Sequence, residues 1–162
     1  NVSYRRQFDW GSINLSAIWT RAIQNDTFTN PADPDFRDRF LGELNDPVNR
    51  VRAGATAKVG RFTLGYEFRF LDKMYLNTYE DYNPLNGFPP QNTDYAPIRQ
   101  YPSVTYHDIR VDAEVNDQFN IYLGIDNIAD KDPPYGLTGV GAGSGIYDNR
   151  GRYLYVGAIA KF

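Results

Sequence analysis

Alternation of apolar and polar residues in seven separate stretches is the feature that most constrains how this chain can fold. In the clearest stretch, residues 49–59, apolar side chains occupy every odd position from Val51 to Val59, and Arg52 and Lys58 lie among the even positions. A period of two places successive side chains on opposite faces of an extended strand. The sequence therefore predicts an all-β fold of seven strands, the other six near residues 2–8, 12–21, 62–70, 108–115, 119–126 and 152–162.

The predicted strands are joined by connections of two kinds that alternate strictly along the chain. Three are tight turns, at residues 9–11, 60–61 and 116–117, of the length that closes a hairpin. The other three are long and span residues 22–46, 72–102 and 128–151. In an antiparallel up-and-down arrangement all tight turns lie at one end of the sheet and all long connections at the other. Three long loops on one side need a functional reason.

Three features favour a transmembrane β-barrel over a soluble β-sandwich, in which each strand also has one apolar face. Outer-membrane barrels combine short turns at one end with long external loops at the other. Several predicted strands reach the roughly 9–11 residues that a tilted strand needs to cross a bilayer. Charged residues lie opposite the apolar rows, as on a wet lumen wall, and aromatic residues such as Trp19, Phe62 and Phe119 lie towards the ends of those rows. We therefore expect an antiparallel up-and-down transmembrane β-barrel.

Composition and motifs argue against several other kinds of protein. The formal net charge is −3 and no basic patch stands out, which argues against a nucleic-acid partner. The chain has no cysteine and His107 is its only histidine, so neither a thiolate nor a histidine cluster can hold a metal. No apolar run is long enough for a transmembrane helix. We find no catalytic constellation and expect no enzyme activity, no cofactor and no metal.

Two groups of residues invite a catalytic or phosphate-binding interpretation. Asp108, Asp112 and Glu114 share one strand face and could suggest acid–base catalysis, but lumen-wall charges balanced by Arg110 are the favoured interpretation. The segment 139–145 contains several glycines, yet no Lys-Ser or Lys-Thr pair follows it, which a phosphate loop would need. That segment is predicted to be a flexible external loop.

The long connections are the predicted binding surface, because they are rich in tyrosine. Tyrosine offers a flat apolar surface and a hydroxyl group, which suit sugars, siderophores or corrinoids. The alternative is that these side chains pack the loops or contact lipopolysaccharide. The candidate ligand-binding residues are Tyr75, Tyr79, Asp81, Tyr82, Tyr95, Tyr135 and Tyr147.

Two segments near the end of the sequence resemble a known family. Residues 122–132 read Tyr-Leu-Gly-Ile-Asp-Asn-Ile-Ala-Asp-Lys-Asp, and residues 151–157 read Gly-Arg-Tyr-Leu-Tyr-Val-Gly. They are similar to the penultimate and last strands of the TonB-dependent outer-membrane receptors. Gly157, Ala160 and Phe162 also match the spacing of the terminal signal that the barrel-assembly machinery reads. Ala129 departs from the pattern, because the family usually has a bulky aromatic residue there.

The resemblance implies a 22-stranded barrel occluded by a plug domain. Residues 1–162 would supply about its last seven strands, and the plug and the earlier strands would lie outside this segment. Seven strands would be only part of a barrel, because single-chain bacterial barrels have even strand numbers. The implied function is TonB-dependent uptake of a scarce, bulky nutrient, such as an iron-siderophore, a corrinoid or an oligosaccharide, across the outer membrane of a Gram-negative bacterium. The implied partners are the rest of the barrel, the plug, TonB, the barrel-assembly machinery and lipopolysaccharide. The alternatives are a passive porin-type barrel and a soluble β-sandwich binding module.

Overall fold

Seven long antiparallel strands form one sheet in a computed structural model, which describes residues 1–136 and 145–161. The strands of the described residues are β1 (Val2–Phe8), β2 (Gly11–Arg21), β3 (Asp26–Thr27), β4 (Asp38–Arg39), β5 (Asn49–Val59), β6 (Phe62–Leu71), β7 (Met74–Tyr75), β8 (Gln100–Tyr101), β9 (Val104–Glu114), β10 (Phe119–Asp126) and β11 (Tyr153–Ala160). The seven long strands pair in the order β1-β2-β5-β6-β9-β10-β11, each beside the long strand that precedes or follows it in the sequence, so the predicted all-β up-and-down arrangement is confirmed. The sheet is open, with β1 and β11 as its edges.

The register of the sheet keeps the alternation of each strand in phase with that of its neighbours. A single slip of one residue would turn every side chain of a strand to the opposite face, so this match specifies the pairing. One face, which we call the apolar face, collects the apolar rows of all seven strands; the opposite face is the polar face. A representative row of the apolar face consists of Leu15, Ala55, Tyr66, Ile109, Ile125 and Leu154.

No layer of protein covers the apolar face in the part of the chain that the structure describes. The exposed fractions of Trp19, Phe62 and Val156 are 62%, 61% and 77%. Soluble monomers rarely expose continuous apolar patches larger than a few hundred Å². Each long strand contributes at least one exposed large apolar side chain to this face, among them Val2, Leu15, Val59, Leu64, Val111, Leu123 and Val156.

The buried core lies instead at the end of the sheet that carries the long connections. There the ribbons β3–β4 and β7–β8 and a four-residue helix, α1 (Tyr79–Tyr82), fold within the first two long connections. The sequence did not predict these short elements. No helix of the described residues is long and apolar enough to span a membrane. A buried hydrophobic cluster there consists of Met74, Tyr101, Val104, Tyr106 and Tyr147.

Strand β9 begins at Val104, four residues before the predicted start at residue 108. The prediction was wrong there because the alternation breaks: Tyr106 is buried on the polar face and His107 lies on the apolar face. A hydrogen bond of 2.7 Å joins Nδ1 of His107 to Oη of Tyr66 on β6 and satisfies a polar group on the apolar face. Strand β11 ends at Ala160, one residue before the last described residue, Lys161; the predicted end at residue 162 lies outside the described residues.

Two tyrosines cover two glycines on the polar face between β10 and β11. Tyr122 lies opposite Gly157, and Tyr155 lies opposite Gly124. A Cβ atom added to Gly157 would lie 2.3 Å from Cζ of Tyr122, and one added to Gly124 would lie 2.1 Å from Cζ of Tyr155. Each ring therefore lies directly over the glycine of the neighbouring strand, an arrangement known to stabilise glycines in sheets. Gly157 thus has a packing role in this sheet.

We expect Gly124→Ala to destabilise the protein by about 1–3 kcal/mol, because the new methyl group must displace the Tyr155 ring. Gly65→Ala is the matched control, since Gly65 lies in the same row of the polar face and its added Cβ would meet only ordinary contacts, the nearest at 3.7 Å. Urea titration of the intact protein measures the free energy of unfolding of both variants. Equal losses in the two variants would contradict the ring-over-glycine explanation.

Candidate functional site

A compact turn after β10 positions the last long connection. Asn127 is fully buried, with a left-handed φ of 49° that asparagine tolerates well. Its side chain donates to the carbonyl oxygen of Lys131 at 3.0 Å and accepts from the N–H of Lys131 at 2.8 Å. Its own N–H donates to Oδ1 of Asp108 on β9 at 2.8 Å, and Oδ1 of Asp130 accepts from the N–H of Arg152 at 2.8 Å. The segment thus ties β10 to the strands on both sides.

The first two long connections are joined to each other and form one unit. The N–H of Arg39 donates to Oε1 of Glu80 at 3.0 Å, and the N–H of Tyr79 donates to Oε1 of Glu43 at 2.7 Å. A backbone hydrogen bond of 2.7 Å also runs from the N–H of Tyr75 to the carbonyl oxygen of Gly42. These contacts cross 33 to 41 residues of sequence. We call the unit made of residues 22–48 and 72–103 the loop cluster.

Four of the seven candidate ligand-binding residues pack inside the loop cluster. The ring of Tyr75 lies 5.7 Å from that of Tyr79 and 6.0 Å from that of Tyr82. Tyr82 and Asp81 are buried, and the carboxylate of Asp81 accepts a hydrogen bond from the side-chain amide of Asn77. The structure brings these four residues together, and their side chains contact one another or other residues of the loop cluster.

The other three candidates divide into one buried and two exposed tyrosines. Tyr147 belongs to the buried cluster at the loop end, and burial raises the pKa of its hydroxyl to about 12. Tyr95 and Tyr135 have exposed fractions of 50% and 56%. The ring of Tyr135 lies 5.8 Å from that of Tyr101, which connects it to the loop cluster. Tyr95 and Tyr135 are therefore the two most exposed of the seven candidate residues, while Tyr75 and Tyr79 are half-buried.

Two arginines that the sequence did not single out stack on Tyr79 and Tyr82 in the loop cluster. The guanidinium carbon of Arg39 lies 4.5 Å from the ring centroid of Tyr79, and that of Arg99 lies 5.7 Å from the ring centroid of Tyr82. Cation–π contacts of this kind stabilise the position of both partners. No local signal in the sequence could have indicated the Arg39 contact, because its partner is 40 residues away.

Asp108, Asp112 and Glu114 on the polar face each contact a basic side chain. Asp112 contacts Arg110 at 2.7 Å, Glu114 contacts Lys58 at 2.8 Å, and Asp108 contacts Arg69 at 3.2 Å. Arg110 was expected to balance all three carboxylates, but in the structure it contacts Asp112, while Lys58 contacts Glu114 and Arg69 contacts Asp108. Ion pairs on a wet surface are the simplest account of these groups, and none of the described contacts requires acid–base catalysis.

A cleft of about 440 Å³ lies on the polar face near the long connections. Three arginines, Arg50, Arg52 and Arg69, line it together with Tyr106 and Ile146. The last long connection folds back onto this face: Oδ2 of Asp148 lies 3.6 Å from Nη2 of Arg69, and the N–H of Asp148 donates to Oη of Tyr106 at 3.1 Å. Sequence reasoning missed this cleft, since its walls come from segments far apart in the chain.

Some predicted features lie outside the described residues. Phe162 of the terminal signal and residues 139–144 of the glycine-rich segment belong to this group, whereas Gly157 and Ala160 lie on β11. Among residues 1–136 and 145–161, no group of three histidine or acidic side chains is placed to hold a metal ion. Comparisons with protein-family models, curated proteins and solved structures found no match.

We expect the loop cluster to loosen as the pH rises from acidic values. Burial raises the pKa of the Glu43 carboxyl above its ordinary value of 4.5, and the nearby carboxylates of Glu80, Asp38 and Asp46 act in the same direction. The protonated form of Glu43 therefore stabilises the folded state below the ordinary pKa, and this contribution is lost as the pH rises through the raised value. Hydrogen exchange of the Tyr79 amide, corrected for intrinsic rates, measures the change.

Glu43→Gln is the control for this pH dependence, because glutamine keeps an oxygen that can accept from Tyr79 but does not ionise. In this variant the exchange rate of the Tyr79 amide, corrected for the intrinsic rate, should stay nearly constant between about pH 4 and about pH 7. The corrected rate of the wild-type protein should rise over the same range. An identical pH profile in the two proteins would show that Glu43 is not the responsible group.

Proposed function

We propose that the sheet is part of the wall of a transmembrane β-barrel, with its apolar face against lipid. The observation that carries this proposal is the uncovered apolar face that extends over all seven strands. In water such a face is unfavourable by about 25 cal/mol per Å² of apolar surface, whereas in a bilayer the same surface is favourable. In lipid the outer edges of β1 and β11 need hydrogen-bonding partners, which further strands of the same barrel would provide.

The dimensions of the sheet support this placement. Strands β2, β5 and β9 each have 11 residues. At about 3.3 Å per residue and a tilt of about 40°, such a strand covers roughly 25 Å along the membrane normal, which matches the apolar band of outer-membrane barrels. Trp19 lies at the long-connection end of this band, and its Nε1–H donates to Oδ1 of Asn49 at 3.1 Å. Phe62 and Phe119 lie at the tight-turn end, so both rims carry aromatic side chains.

Within this class we propose a TonB-dependent receptor in the outer membrane of a Gram-negative bacterium. It would take up an iron-siderophore, a corrinoid or an oligosaccharide and would carry out no enzymatic reaction. The support is the resemblance of residues 122–132 and 151–157 to the last two strands of that family, together with the compact loop cluster at one end of the sheet. The plug, TonB, the barrel-assembly machinery and lipopolysaccharide are the proposed partners.

A passive porin-type barrel is a second candidate that one observation favours. The last long connection folds back over the polar face near Arg69, as a loop that narrows a pore would do. The soluble β-sandwich has less support, because a sandwich needs a second sheet on the apolar face. The only other sheets of the described residues are two ribbons of two-residue strands within the long connections.

A pair of arginine substitutions on β2 tests whether the apolar face contacts lipid. Leu15 lies midway along the apolar face with 43% of its side chain exposed, and its neighbour Asn14 lies on the polar face. In a bilayer we expect Leu15→Arg to cost about 2–4 kcal/mol and Asn14→Arg much less. Urea titration of the full-length protein folded into phospholipid vesicles measures both. In a water-soluble protein the change at an exposed Leu15 should stay within about 0.5 kcal/mol, which would contradict the proposal.

Nutrient uptake tests the receptor proposal. Disruption of the gene should abolish accumulation of one member of a panel of labelled ferric siderophores, cobalamin and oligosaccharides, and deletion of TonB in the intact strain should have the same effect. Uptake that persists without TonB would contradict the receptor proposal. Stepwise ion conductance of the purified protein in a planar bilayer would then support the passive porin-type barrel.

A further inference from the structure

At the tight-turn end of the apolar face one described side chain is an arginine, where a charged group is unexpected. Arg21 also lies on this face, but at the opposite end of β2, beyond Trp19. Arg6 of β1 is opposite Ile13 and shares a face with Tyr4 and with Leu15 of the neighbouring strand. A charged side chain in an apolar environment is costly unless it reaches a polar layer or a partner. The row to which Arg6 belongs is otherwise apolar and consists of Ile13, Ala57, Leu64, Val111, Leu123 and Val156.

Arg6 packs against the first of two stacked aromatic rings at the tight-turn end of the sheet. Its guanidinium carbon lies 5.1 Å from the ring centroid of Phe8, the last residue of β1. The Phe8 ring is stacked on that of Trp10 in the turn, at 4.9 Å between centroids and 9° between planes. These contacts draw the guanidinium towards the rim of the apolar face, as expected for a long basic side chain at a membrane interface.

The hydrogen-bonding capacity of Arg6 is unused within the described part of the chain. Its contact with Phe8 is its only side-chain interaction there; no carboxylate lies within ion-pair distance. On the polar face Arg52, Arg69 and Arg110 each contact a carboxylate, whereas Arg5 of β1 contacts none among the described residues. A guanidinium group presents five N–H donors in a planar fork that fits a phosphate group. Arg6 is thus a basic group at the rim with no anionic partner among residues 1–136 and 145–161.

We propose that Arg6, Phe8 and Trp10 form a binding site for the phosphate group of an anionic phospholipid in the leaflet at the tight-turn end. The guanidinium donates to the phosphate oxygens, and the two rings lie at the level of the glycerol and upper acyl chains, where aromatic side chains are favoured. This inference rests on the proposed placement of the sheet in a membrane.

Two neighbouring arginines provide a matched test, because Arg5 lies on the polar face and Arg6 on the apolar face. The full-length protein is reconstituted in nanodiscs of phosphatidylcholine, with or without phosphatidylglycerol, and its unfolding constant is measured in urea. Arg5→Gln and Arg6→Gln change the net charge equally. Phosphatidylglycerol should lower the unfolding constant of both variants. The factor by which it does so should be about fivefold smaller in Arg6→Gln than in Arg5→Gln, which is the effect of one basic residue at an anionic surface. Arg6→Lys should keep part of the stabilisation.

The outcomes separate the site from the membrane placement. Equal responses of Arg5→Gln and Arg6→Gln would overturn the lipid site, as would the same Arg6-dependent stabilisation by inorganic phosphate in detergent micelles, which would indicate a site for free phosphate. In both cases the protein still inserts into bilayers and its proposed function stands. Failure of the wild-type protein to insert into either bilayer would overturn both proposals.

Discussion

The uncovered apolar face is the constraint on which the rest of this structure depends. An antiparallel sheet satisfies its backbone hydrogen bonds between strands, but its side chains still need an environment that suits each face. Here the polar face carries ion pairs such as Arg52–Glu67, while the opposite face presents exposed leucine, valine and aromatic side chains on every long strand. Contact of that face with lipid would explain three features together: the strand length, the aromatic residues at both rims and the position of the loop cluster at one end.

Most of the sheet could be predicted from the sequence because the signals are local. Period-two alternation and tight-turn lengths depend on residues within about ten positions of one another, and they gave all seven long strands in the right order. The start of β9 could not be predicted, since Tyr106 and His107 interrupt the alternation. Their positions depend on Asp148 and Tyr66, about 40 residues away, through hydrogen bonds that no local pattern records.

The candidate site shows the same division between local and distant information. Composition indicated that the long connections are rich in tyrosine, but not which tyrosines face solvent. That choice depends on contacts between connections, such as Tyr79 with Glu43 and Tyr101 with Tyr135. The structure assigns Tyr82 and Tyr147 to the interior and leaves Tyr95 and Tyr135 at the surface. The proposed ligand binding therefore rests on Tyr95 and Tyr135, which the hydrogen-bonded loop cluster and its neighbouring turn leave exposed.

Accessibility along a single strand tests the central claim most directly. The sequence has no cysteine, so single cysteines at successive positions 12–19 of β2 can each carry a spin label in the full-length protein reconstituted in phospholipid vesicles. We predict that odd positions collide with dissolved oxygen, which concentrates in lipid, and that even positions collide with a water-soluble nickel complex. Preferential collision of the odd positions with the nickel complex would show that water covers the apolar face, and would contradict the account.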